Sequence, residues 1–105
     1  MKEILENINS SIDRYHGLEL GGGLLELSEI LRDLTSNLFY LEQYRSEAQS
    51  NWLDVYFETQ GSNAHREKVA DFKIKELYSL RRIMTSTYKI VDSIRSQIGI
   101  YKREA

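Results

Sequence analysis

The residues with the clearest chemical potential in this chain are cations on a seven-residue repeat: Lys68, Lys75, Arg82 and Lys89, with Arg103 continuing the line after a gap at Ser96. Seven residues are close to two helical turns, so on one continuous helix these side chains share a single outward line. A row of fixed positive charge suits a phosphate backbone or an acidic protein surface. The same pattern also describes an ordinary solvated helix face.

Other constellations are sparse. Asp13 and His16 stand three apart, a spacing that can share a metal, but helical di-metal sites assemble several such pairs. A helix-end interaction is the simpler reading. Gly21-Gly22-Gly23 precedes a helical stretch, where an anion could meet free backbone N–H groups. The lysine and hydroxyl of a phosphate-binding loop are missing, however, and Glu19 and Glu26 flank the glycines. The only histidines, His16 and His65, form no arrangement with serine and carboxylate that supports nucleophilic catalysis. Cysteine is absent, which excludes disulfides and thiolate zinc sites and makes a reducing cytoplasm the default compartment. The expectation is a protein with no catalytic residues, metal or cofactor.

These side chains need long helices to hold them, and the composition favours such helices: there is no proline, and only six glycines. Leu5, Ile8, Ile12 and Tyr15 predict a short helix over 2–15, ended by a glycine-rich hinge over 16–23. Leu24, Leu27, Leu31, Leu34, Leu38, Leu41, Arg45, Ala48, Trp52 and Val55 alternate spacings of three and four, a heptad seam predicting a helix over 24–59. A turn over 60–63 follows, with Gly61 suited to a left-handed position and Ser62 or Asn63 able to cap. Leu77, Leu80, Met84, Thr87, Val91, Ile94, Ile98 and Tyr101 form a second seam on a helix predicted over 63–102. Facing positions of the two seams are symmetric about Gly61. The expected architecture is therefore all-α, a single domain over 1–105. It consists of a coiled-coil-like antiparallel helical hairpin with a short N-terminal helix, three helices in total.

Within this frame Arg45 falls at a seam position opposite Leu77, with Glu42 and Glu76 in reach of its head. Such a residue specifies register or oligomer state. The tip gathers Tyr44, Trp52, Tyr56, Phe57, Phe72 and Tyr78, most of them expected in the core. Exposure of Tyr56 or Phe57 beside His65, Arg66 and Lys68 would make the tip a contact patch.

Charge is segregated. Residues 1–62 hold four basic side chains against eleven acidic ones, and residues 63–105 hold ten against five. Oppositely charged helices pair favourably, within one molecule or between copies. Leu25, Phe39 and Leu53 lie on one flank of the seam of the second helix, and Val69, Ile83 and Ile90 on a flank of the last. The apolar face is thus wider than a two-stranded seam needs, and the first helix is too short to cover it all. The reading is a homo-oligomer, most simply a dimer. The acidic, interrupted N-terminus and the lack of a long apolar run argue against a signal peptide and against membrane association.

The stretch from Leu41-Glu42-Gln43-Tyr44-Arg45 through Trp52-Leu53, then Ala64-His65-Arg66-Glu67-Lys68 and Asp71-Phe72-Lys73, resembles small helical proteins of tailed bacteriophages. These are encoded near single-strand annealing and recombination genes. The resemblance spans about residues 38–101 and marks no catalytic residue. It implies a phage accessory protein in the host bacterial cytoplasm, with a host or phage protein as partner. The function expected is that of a non-enzymatic, oligomeric interaction protein, an accessory to recombination or an inhibitor of a host enzyme. The alternative is a nucleic-acid-binding module of phage recombination using the basic row.

Overall fold

The computed structural model describes residues 1–18 and 23–104. Among the described residues there are four α-helices: α1 (Lys2–His16), α2 (Leu24–Glu58), α3 (Asn63–Lys73) and α4 (Glu76–Glu104). Residues 19–22, the middle of the expected hinge, lie outside the described residues, and with them most of the Gly21-Gly22-Gly23 anion-site reading. The molecule is a rod of 60 × 26 × 18 Å, and α2 supplies nearly its whole length at about 1.5 Å per residue.

α2 and α4 pack antiparallel along the expected seams. Leu27, Leu34, Leu38, Leu41 and Ala48 of α2 are buried against Leu77, Leu80, Met84, Val91 and Ile94 of α4. The seams loosen at their ends, where Leu24 is exposed and Val55 and Ile98 are half-buried. Thr87, the polar member of the seam, is buried and donates its hydroxyl to the Ile83 carbonyl oxygen at 2.7 Å. That bond within its own helix satisfies the hydroxyl without a partner from α2.

The turn has clear local causes. Thr59 leaves the helical region with φ −84° and ψ 134°, and Gly61 takes φ 123°, the single positive φ among the described residues. Ser62 then caps α3, its Oγ accepting from the His65 N–H at 3.2 Å.

The expected single helix over 63–102 is broken, so there are four helices and not three. α3 ends at Lys73, and Ile74 adopts φ −115° and ψ 61°. The seam itself explains why. Continuing the heptad back from Leu77 puts Ala70 and Lys73 at inward positions. Ala70 is buried, but an uninterrupted helix would press the Lys73 ammonium into the apolar layer opposite α2 at a high desolvation cost. The break leaves Lys73 exposed and turns Ile74 inward against the core instead.

α1 lies antiparallel along one edge of α2. Asn7 Nδ2 donates to Asn37 Oδ1 at 3.4 Å, and Arg14 pairs with Glu29 at 2.9 Å. Ile8 of α1 and Ile30 of α2 are both fully buried in the core. A shallow cleft separates α1 from α4, lined by Ile8 and Ile12 on one side and Ile83 on the other. The opposite edge of the hairpin is polar: Arg81 Nη2 donates to Gln49 Oε1, and Tyr88 donates to Glu42 at 3.1 Å. An amphipathic helix gains hydrophobic stabilisation only on the apolar edge, which fixes the side on which α1 docks.

Candidate interaction surfaces

The hairpin tip is a stack of rings clamped to α3. Trp52 and Tyr56, one turn apart on α2, lie nearly parallel with centroids 5.5 Å apart. The Trp52 indole N–H donates to Asp71 Oδ1 at 2.8 Å, and the Tyr56 hydroxyl donates to Asn63 Oδ1 at 2.9 Å. The Arg66 guanidinium sits 5.8 Å from the Tyr56 ring centroid, a cation–π contact. Tyr56 and Arg66 are thus half-buried parts of the clamp, while Phe57 and His65 project into solvent. Of the four expected tip contacts, Phe57 is the large apolar side chain left free to meet another surface.

The break divides the basic row. Lys68 lies on α3, Lys75 in the connecting turn, and Arg82, Lys89 and Arg103 on α4. All five are exposed, and none forms a salt bridge among the described residues. Two of them face aromatic rings. Lys75 Nζ lies 4.6 Å from the Phe72 ring centroid, and the Arg82 guanidinium 5.8 Å from that of Tyr78.

Those rings correct an expectation. Phe72 and Tyr78 are 71% and 69% exposed, and Tyr44 and Phe57 are exposed as well, so most of the tip-end aromatics stand outside the core. Around the break only Ala70, Ile74 and Leu77 turn inward, which leaves Phe72 and Tyr78 on the outer surface. Their spacing to the cations, three residues for Phe72–Lys75 and four for Tyr78–Arg82, was visible in the sequence as a same-face signature.

Arg45 is less buried than its seam position implies. Its side chain is 33% exposed and bonds Glu42 Oε2 at 3.2 Å. Glu42 also accepts from Tyr88, so one carboxylate gathers an arginine from its own helix and a phenol from α4. Burial, and after it the hydrogen bond to Glu42, raises the Tyr88 pKa above the ordinary phenol value.

The two apolar flanks read from the sequence have different fates. Ile83 and Ile90 are partly buried against the core on the edge where α1 docks. Leu25, Phe39 and Leu53, on the outer side of α2, remain 73%, 60% and 39% exposed. Small side chains (Ser36, Ser46 and Ser50) lie between and beside them.

Asp13 and His16 gather no third ligand, and no group of three metal-binding side chains occurs among the described residues. The His16 ring instead sits 5.7 Å from that of Tyr15. No described helix is long and apolar enough to cross a membrane. Comparison of the chain with protein-family models, with curated proteins and with solved structures gives no match.

Proposed function

We propose that this is a non-enzymatic helical interaction protein that acts through protein contacts, with the outer side of α2 as its contact surface. The observation that carries the reading is the row Leu25, Phe39 and Leu53, left in water by a fold that buries every other seam layer between Leu27 and Ala48 except the half-buried Leu31 and Arg45. Large apolar side chains on an otherwise polar helix face are a common mark of an association surface. The resemblance to tailed-phage proteins supports a phage accessory or an inhibitor of a host enzyme, working in the bacterial cytoplasm. The test is light scattering across a concentration series, combined with affinity capture from the bacterial host. A protein that stays monomeric and captures nothing that Phe39→Glu abolishes would end this reading.

A second reading is favoured by a separate observation, the exposed ring–cation pairs Phe72–Lys75 and Tyr78–Arg82. Bases stack on exposed rings while neighbouring cations track the phosphates, which is how single strands are held without sequence preference. This reading requires affinity for an oligonucleotide that falls steeply with salt. Absence of binding at low ionic strength removes it.

A further inference from the structure

The exposed apolar row of α2 is a palindrome in space. Leu25 and Leu53 are equidistant from Phe39, each two heptads away on the same helical line. The row therefore reads the same in both directions along the helix. That is the requirement for an isologous contact, in which one patch meets its own copy across a two-fold axis.

We infer that α2 pairs with α2 of a second copy, antiparallel, with the two-fold axis passing beside Phe39. This rests on the reading of the protein as an interaction module and names its partner as a second copy of this chain. In that arrangement Phe39 meets Phe39 of the copy, and Leu25 meets Leu53 of the copy at both ends. The contact runs about 42 Å along the helices.

The flanking residues agree with this register. Along the line of the three apolar residues, Arg32 comes opposite Ser46. On one flank Ser28 comes opposite Gln49 and Thr35 opposite Glu42; on the other, Glu29 opposite Ser50 and Ser36 opposite Gln43. No two like charges face each other, and a serine or threonine occurs in every one of these pairs, so the helices can approach closely. Sliding the register by one heptad either way sets each apolar residue against Arg32, Ser46 or the helix ends. Of the registers one and two heptads apart, this one alone pairs all three apolar residues with no like charges facing.

Among the described residues no helix packs over the line Leu25–Phe39–Leu53; Arg14 of α1 and Tyr88 and Arg81 of α4 reach only its flanks, at Glu29, Glu42 and Gln49. α1 lies on the edge marked by Ile30 and Asn37, and α4 faces the seam; Leu25 and Phe39 are more than half exposed. Pairing through α2 leaves the basic row of α4 open in both copies.

The chain contains no cysteine, so single introduced thiols report distances between copies directly. With the wild-type protein shown to be a dimer by light scattering, Phe39→Cys is expected to link to a covalent dimer with a short bis-maleimide. Leu25→Cys alone and Leu53→Cys alone are expected not to link, because like positions lie about 42 Å apart across the axis. A mixture of the two is expected to link. Phe39→Glu should shift the protein to monomer by light scattering while its helical circular dichroism is unchanged, since the side chain is already largely in solvent. A dimer in which Phe39→Cys fails to link overturns the two-fold placement and leaves the interaction reading standing. A wild-type protein that remains monomeric at high concentration overturns the second copy as occupant, and capture of a host protein that Phe39→Glu abolishes would then keep the interaction reading standing.

Discussion

Tyr88 of α4 donates its phenolic hydrogen to the Glu42 carboxylate of α2 at 3.1 Å, across the polar edge of the hairpin. Glu42 is held in place for this by Arg45, three residues along its own helix. The bond ties the middle of the two long helices together on the side that α1 leaves open.

Its pH dependence follows from the direction of the shift. Burial and the Glu42 bond hold the Tyr88 pKa above that of an unfolded tyrosine, so the contribution is full below the ordinary phenol range, about 10. It is lost as the pH rises through the folded-state value, because the phenolate would face Glu42. Ultraviolet titration should show a tyrosine component above the ordinary phenol range, and Tyr88→Phe should abolish it. The same substitution should cost about 0.5–1 kcal/mol by urea denaturation near neutrality, the range for a partly exposed hydrogen bond. An unchanged titration curve would contradict the assignment.

Trp52 and Asp71 should couple. The indole N–H bond at 2.8 Å joins α2 to α3 just before the break, and a double-mutant cycle with Trp52→Phe and Asp71→Ala should return about 0.5–1.5 kcal/mol. Additive effects would mean that the tip is held by ring stacking alone.

Gly61→Ala should destabilise the hairpin by about 1–2 kcal/mol. Its φ of 123° is strained for any L side chain, and an added Cβ would stand 3.0 Å from His65 Cδ2. Gly61→Ala in a His65→Ala background should recover only the part due to that contact, so the residual loss measures the backbone term.

Lys73→Leu probes the break. With an apolar residue at the inward position, the reason for interrupting the helix disappears, and α3 should run on into α4 with a gain in helical circular dichroism. A variant with the same helix content as wild type would show that Ile74, rather than Lys73, dictates the interruption.

Lys75→Glu with Arg82→Glu bears on the nucleic-acid reading. If single strands bind here, losing two cations should lower the slope of log affinity against log salt by about 1.4. Phe72→Ala should weaken binding with the slope unchanged. Because all three side chains are exposed, thermal stability should barely move.

The helices, the turn at Gly61 and the facing seams were legible in the sequence because each is a local matter. A heptad repeat, a glycine able to take positive φ and a serine cap act over a few residues and require no knowledge of what lies across the core. What only the tertiary structure decided were choices between neighbours of similar local merit. The outward row ran from Lys68 to Lys89 without a flaw, so nothing on it announced the break at Ile74. The conflict sat on the inward side, where Lys73 would have faced the layer around Ala48. Phe72 and Tyr78 looked like core aromatics by type, but neither stands at an inward position of the seam, and both are exposed. Both flanking apolar lines could have received α1; the edge carrying Ile30, Ile83 and Ile90 took it because the other edge is filled by the Arg81–Gln49 and Tyr88–Glu42 bonds. That choice left Leu25, Phe39 and Leu53 on the outer side of α2. The spacing of those three residues was set by the sequence, but their exposure was set by where a fourteen-residue stretch of apolar periodicity at the N-terminus found its largest burial.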